Sequence, residues 1–216
     1  MNPSEPYMKI VQQLKRLSAA SGKLDIFGAQ VHRFKLNTPL TEASVLDFEK
    51  QHAVRLPADY RSFLTLVGNG GAGPAYGLFK LGEMDDNFIY MGWQENDGFV
   101  GCLSRPFPYT QPWNDLEGMP AEAGLSEAEY ETQMDQFEQK YYMAVDGAIP
   151  ICHLGCALRQ WLVVCGAESG NVWCDYRADY RGFSPLTLPD QPRVTFWQWY
   201  QDWLAQSLKH FTEERK

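Results

Sequence analysis

The sequence predicts an α+β domain, and three observations carry that prediction. Apolar residues recur at helical spacing through most of the first 67 residues. The period then changes to short apolar runs punctuated by Gly, Asp and Ser, from Tyr76 to Tyr176. An amphipathic helix closes the chain. Helices, then a meander, then a helix imply an antiparallel sheet with the helices on one side.

Tyr7, Ile10, Val11, Leu14 and Leu17 mark the first helix, which Ser21-Gly22 ends. Gln30 to Leu36 alternates polar and apolar residues and reads as a strand. Thr41 is the N-cap of the next helix, with Leu40 and Val45 spaced as a hydrophobic staple. Val45, Leu46 and Phe48 form its buried side. Pro57 then opens the clearest helix, where Tyr60, Phe63, Leu64 and Val67 repeat at i, i+3, i+4 and i+7. Gly68 is expected to end it in the left-handed conformation, and 69–74 to turn.

Tyr76–Leu81, Phe99–Leu103, Ala148–His153, Trp161–Cys165 and Asn171–Tyr176 read as strands, with a tight connection at 168–171. Arg105 to Gly124 is rich in Pro and Gly and reads as loop. Ser126 and Glu129 form a capping-box pattern that starts a helix from about Glu127 to Tyr142. Thr195 caps the last helix, which carries Phe196, Trp199, Tyr200, Trp203, Leu204 and Leu208. Trp197 falls off that stripe and is expected to be exposed.

The charge is unevenly placed. Between Leu81 and Gln139 stand thirteen acids and one base, Arg105, a net of −12; fourteen acids and eighteen bases elsewhere give +4, together the −8 of the chain. Such a surface repels phosphate backbones, which argues against nucleic acid, and steers a basic protein toward it. No apolar stretch is long enough to span a membrane, and the N-terminus lacks the pattern of a secretory signal. Five cysteines cannot all pair, which points to the reducing cytoplasm.

Catalytic and metal sites are not expected. Cys152, His153 and Cys156, even with Cys165 and Cys174, fit zinc spacing poorly, and cysteine between Ile, Val and Leu is more often a small core residue. His32, His52, His153 and His210 are scattered, without a nucleophile elbow. The Gly68–Pro74 segment lacks the Lys and the following helix of a phosphate cradle. The remaining candidate is the acidic stretch with its aromatics, a usual interface composition. The candidate partner-binding residues are Glu83, Asp85, Asp86, Trp93, Glu95, Asp97, Trp113, Asp115 and Glu117, within the segments Glu83–Asp97 and Asp115–Glu138.

Leu40-Thr41-Glu42-Ala43, Arg55-Leu56-Pro57-Ala58-Asp59-Tyr60 and Gly68-Asn69-Gly70-Gly71-Ala72-Gly73-Pro74 together resemble the N-terminal signature of the SUKH superfamily, also called the Smi/Knr family. Ile149-Pro150-Ile151, Trp161-Leu162-Val163-Val164, Val172-Trp173 and the closing Trp199-Tyr200 follow in the family's order, so the likeness spans about 28–208. It implies one SUKH-like domain over 1–216, without cofactor or catalytic residues. The acidic, Pro/Gly-rich block at about 105–142 is longer than the family core requires. The resemblance further implies a protein-binding role: bacterial members are mostly immunity proteins that neutralise toxin domains, and fungal members are interaction hubs in cell-wall control.

Overall fold

The computed structural model describes residues 4–19, 25–86, 89–92 and 99–213. Four helices come first: α1 (Glu5–Ala19), the single turn α2 (Ala29–His32), α3 (Glu42–Gln51) and α4 (Ala58–Leu66). A hairpin of β1 (Glu83–Asp86) and β2 (Ile89–Gly92) leads, through a long connection, to α5 (Glu127–Tyr141). Then come β3 (Ala148–Gly155), β4 (Leu158–Val163), β5 (Val172–Asp175), a 3-10 turn (Arg177–Asp179), β6 (Phe183–Pro185) and α6 (Phe196–Glu213). The fold class is α+β, as expected.

β3 to β6 form one antiparallel meander in sequence order. Its strands are buried on both faces. Ile149, Ile151, Leu162, Val164 and Val172 join the main core with α1, α4 and α6, whereas Ala148, Trp161, Val163, Trp173 and Phe183 join a second core with Phe107 and Val145. Pro150, Trp161, Trp173 and Pro185 pair across all four strands in a single row. A register shift between Pro150 and Cys152 lets both Ile151 and Cys152 enter the main core. The expected one-sided arrangement is therefore corrected: a second layer covers the other face.

The sheet extends past both edges by isolated bridges. On the β3 side Leu78 pairs with Cys152, Gly71 with Leu78, and Leu36 with Gly71; on the β6 side Trp113 pairs with Phe183. Both edges of the meander are thus occupied, which withholds their backbone groups from other chains. The strands expected at Tyr76–Leu81 and Phe99–Leu103 reduce to such bridges, at Leu78 and at Val100 with Val145.

The predicted helix starts hold. Thr41 Oγ1 accepts the Ser44 N–H at 3.1 Å. Ser126 and Glu129 form the full capping box, and their hydrogen bonds hold the Glu129 carboxyl below its usual range. Thr195 and Gln198 bond reciprocally, N–H to side chain, at 2.9 and 3.3 Å. Asp59 does more than the sequence indicates. Its carboxylate takes the Tyr60 N–H at 2.8 Å and the Trp197 N–H at 3.1 Å, clasping the starts of α4 and α6 together. Trp197 is accordingly half-buried against Tyr7, with ring centroids 4.5 Å apart, rather than exposed.

Three local expectations are overturned. The 30–36 segment is one helical turn followed by Arg33 and Phe34 at φ 51° and 58°. Two residues in the left-handed region cost on the order of 1–2 kcal/mol each; burial of Phe34 between Trp203 and Phe211 offsets that cost. His32 and Phe34 are buried as the alternation foresaw, but by a different backbone. Leu46 is 54% exposed, because at 100° per residue it lies off the face carrying Val45, Phe48 and Glu49. Ser21-Gly22, expected to end α1, lies outside the described residues.

Gly68 does not have a positive φ; the helix ends at Val67 (φ −111°). Gly68 is needed for space, since a Cβ there would stand 2.8 Å from the Asn37 carbonyl oxygen. Positive φ falls instead on Gly70 (78°) and Gly71 (98°), and the Gly71 peptide bridges Leu36 and Leu78.

Leu64 is fully buried in the main core, on a helix packed against α1 and α6, so Leu64→Ala should lower stability by about 2–5 kcal/mol in urea denaturation. Gly68→Ala, which has no φ conflict to meet, should still cost about 1–3 kcal/mol through its clash with Asn37; a neutral Gly68→Ala would show that this backbone yields. Burial lowers the His32 pKa from 6.5 to about 4. The neutral ring accepts the Phe34 N–H at Nδ1, 3.0 Å away. Its contribution is present above pH 6.5 and is lost as pH falls toward 4, because the unfolded chain takes up the proton first. His32→Gln should flatten the pH–stability curve over that window.

Candidate partner-binding surface

The second layer is built from the block between Arg105 and Tyr142. Phe107, Tyr109 and Trp113 descend onto the sheet, with Tyr109 and Trp113 stacked at 5.1 Å and Trp113 and Tyr141 at 5.5 Å. Trp113 exchanges both backbone hydrogen bonds with Phe183, at 2.8 and 2.7 Å. α5 then lays Phe137 and Tyr141 inward, and these are its only buried side chains. The other side of α5 is polar.

Arg177 ties this layer to the sheet. Its guanidinium bonds both oxygens of Asp175, at 2.9 and 2.8 Å, and donates to the Met143 carbonyl at 2.9 Å, just past the end of α5. Its Cζ lies over the Phe183 ring, 4.5 Å from the centroid. Arg177 is 3% exposed and Asp175 5%. Tyr141 strengthens the same junction: its hydroxyl donates to Asn114 Oδ1 at 2.6 Å and accepts the Gly182 N–H at 2.9 Å. Tyr180 donates to Glu138, which pushes its phenol well above the usual range.

The acids of this layer face outward. Asp115, Glu117, Glu122, Glu127, Glu129, Glu131 and Asp135 are all exposed, and no Lys or Arg stands between Pro106 and Gln139. Leu116 and Met119 are exposed among them, and Met143 near the end of α5. In the same layer a pocket of about 290 Å³ is walled by Pro108, Tyr109, Trp113, Tyr141 and Met143. Asp115 Oδ1 accepts the Glu117 N–H at 2.9 Å, which fixes the turn that presents both carboxylates.

Those predicted residues that are described are not all brought together. Trp113, Asp115 and Glu117 stand at the β6 edge. Glu83 stands at the β3 edge, where it pairs with Lys80 at 3.2 Å and lines a separate pocket of about 370 Å³ with His32, Lys35 and Tyr76. Leu78, which precedes Glu83 closely, is five strand spacings from Trp113, roughly 24 Å across the sheet. Asp85 and Asp86 lie in β1, opposite Tyr90 and Ile89, but their side chains are outside what is described. Trp93, Glu95 and Asp97 lie outside the described residues. The acidic stretch is continuous in sequence and divided in space, and Trp113 is chiefly a core residue with one edge on a pocket.

Among the described residues, no group of three or more His, Cys, Asp or Glu is placed to hold a metal ion. Cys152 and Cys174 are buried, and Cys156 is exposed at the β3–β4 turn. No described helix is long and apolar enough to cross a membrane. Sequence reasoning missed Asp175 and Arg177. Their i, i+2 spacing at the end of a strand gives no motif, and only the packing reveals that the pair is buried.

The family model described as SMI1 / KNR4 family (SUKH-1) matches residues 39–214, well over half of the chain, and the chain belongs to that family. The match contains the whole second layer. No curated protein and no solved structure gives a match.

Removing one partner of the buried pair should be costly. Arg177→Met leaves the Asp175 carboxylate buried and unpaired and should destabilise by about 3–5 kcal/mol. The double variant Asp175→Leu/Arg177→Met should recover a large part of that loss in urea denaturation. Additive losses would show that the two side chains act separately.

Proposed function

We propose that this SUKH-1 chain is a non-enzymatic protein-binding module, and that it acts in the cytoplasm as an immunity protein. On this reading it neutralises a cognate basic toxin domain by direct binding. Inhibition by occlusion is stoichiometric and asks of the chain only a complementary surface. The observation that carries the reading is the outward segregation of acids on the second layer, with exposed Leu116 and Met119 among them. Exposed carboxylates attract a basic partner over roughly a Debye length, about 8 Å at physiological salt. The apolar side chains among them supply area that can be desolvated on contact. The family is one whose members bind other proteins, which agrees with this use of the surface.

The division of the acids sharpens the proposal. The block at 115–138 is the capture face, and the β1–β2 hairpin at the far edge contributes at most long-range field. Glu127 and Glu129 occupy the first turn of α5, where a negative charge also favours the helix N-terminus, so they are poor choices for a binding test.

The test captures the partner from the native host and measures its binding kinetics. Reversal of Asp115, Glu117, Glu131 and Asp135 to Lys should slow association by roughly tenfold or more at low salt, and the variant should approach the parent at high salt. Reversal of Asp85 and Asp86 should have a much smaller effect. Equal effects of the two sets would place the contact elsewhere. A captured partner without toxicity in the absence of this chain would defeat the immunity role and leave the binding role standing.

A further inference from the structure

Two thiols converge on one serine at the corner where the second layer leaves the sheet. Cys102 Sγ lies 3.2 Å from Ser104 Oγ, and Cys165 Sγ donates to the Ser104 carbonyl at 3.5 Å. Their backbones are tied through one residue. The Cys102 carbonyl accepts the Gly147 N–H at 3.1 Å, and the Gly147 carbonyl accepts the Cys165 N–H at 3.0 Å. The chain at 105–107 lies directly on Gly147, where a Cβ would come within 2.4 Å of the Arg105 oxygen and the Phe107 nitrogen. Cys102, Ser104, Arg105 and Pro106 are exposed, and Cys165 is half-buried.

We propose that Cys102 and Cys165 form a peroxide-responsive thiol pair, with Cys102 as the attacking thiol and Cys165 as the resolving one. Cys102 has the surroundings of a reactive thiol. Hydrogen bonding to the Ser104 side chain and backbone, followed by the backbone and charge of Arg105, holds its pKa below the usual thiol range. The Cys102 thiolate attacks one oxygen of hydrogen peroxide. The O–O bond breaks, hydroxide leaves and is protonated to water, and Cys102 becomes a sulfenic acid. The Cys165 sulfur then attacks the sulfenic sulfur. The S–S bond forms, the S–O bond breaks, and the departing hydroxide leaves as water with the Cys165 proton. Two thiols are oxidised, and one peroxide is reduced to two waters. Closing the bond requires the two sulfurs, each in contact with Ser104, to come within about 2.0 Å of each other. The product joins the entry of the second layer to the end of β4.

Peroxide treatment of the reduced full-length protein, followed by alkylation and peptide mapping without reductant, tests the assignment. The expected product is a Cys102–Cys165 crosslink within one chain, with Cys152 and Cys174 still alkylated after denaturation. Cys102 should lose its free thiol faster than exposed Cys156, because Ser104 and Arg105 favour its thiolate. In Cys165→Ser, Cys102 should accumulate as a sulfenic acid trapped by dimedone. A crosslink to Cys156, a crosslink only between chains, oxidation without any Cys102–Cys165 product, or equal rates at Cys102 and Cys156 would overturn the proposal.

Discussion

A sheet with apolar side chains on both faces has to be covered twice, and most of this molecule follows from that requirement. From β4 into the residue after it, Trp161 and Val163 point toward one side and Leu162 and Val164 toward the other, so neither face can meet water. The terminal helices cover one face with the larger core. The other face carries the Pro150–Trp161–Trp173–Pro185 row, and the block at 105–142 exists structurally as its cover. Trp161 and Trp173 are completely buried, and each ring brings a large apolar area to that layer. Without the cover, that row would be an exposed patch of the kind soluble chains avoid.

The buried Asp175–Arg177 pair determines where that cover sits. A buried ion pair adds little net stability, because desolvation of both charges consumes most of the attraction. Its value here is directional. Arg177 aims its donors at Asp175 on the sheet and at the Met143 carbonyl beside α5, and a guanidinium that satisfies both has one orientation. The acids that carry the proposed function are therefore presented from a layer whose inner side is tightly specified. Its outer side is constrained only by solubility and by whatever binds there.

Much of the fold could be read from the residues, and the failures share a cause. Helix starts at Thr41, Ser126 and Thr195 were legible because capping is a local exchange of hydrogen bonds. The stripe from Tyr60 to Val67 and the strands β3 to β5 were legible because their periods or apolar runs are long. The 30–36 segment was misread because alternation of buried side chains is compatible with more than one backbone, and only the fit of Phe34 against Trp203 selects the left-handed pair. Gly68 was assigned to the right position for the wrong reason, since its crowding comes from Asn37, a tertiary neighbour. The second layer had a signal that was available: Trp161-Leu162-Val163-Val164 is apolar without alternation, as strands buried on both faces are. The candidate site was legible as a charge distribution and not as a place. Charge segregation along the chain carries no information on which sheet edge each half occupies, and the bridges at Leu78 and Trp113 put the halves at opposite edges.

The sparse inner face of α5 has a consequence for how the molecule comes apart. A helix of fifteen residues that buries only Phe137 and Tyr141 is held mainly at its C-terminal end, and its first turns rest on their own capping box. Such an element belongs to the low-stability end of native-state opening, able to detach while the larger core remains folded. Opening of that kind would bare the Trp113 and Tyr180 rings that Tyr141 covers, while Phe107 stays on Trp173 and the terminal helices stay in place. The acids on the same helix would then act as gatekeepers, since their mutual repulsion opposes the association of two opened copies through the rings laid bare.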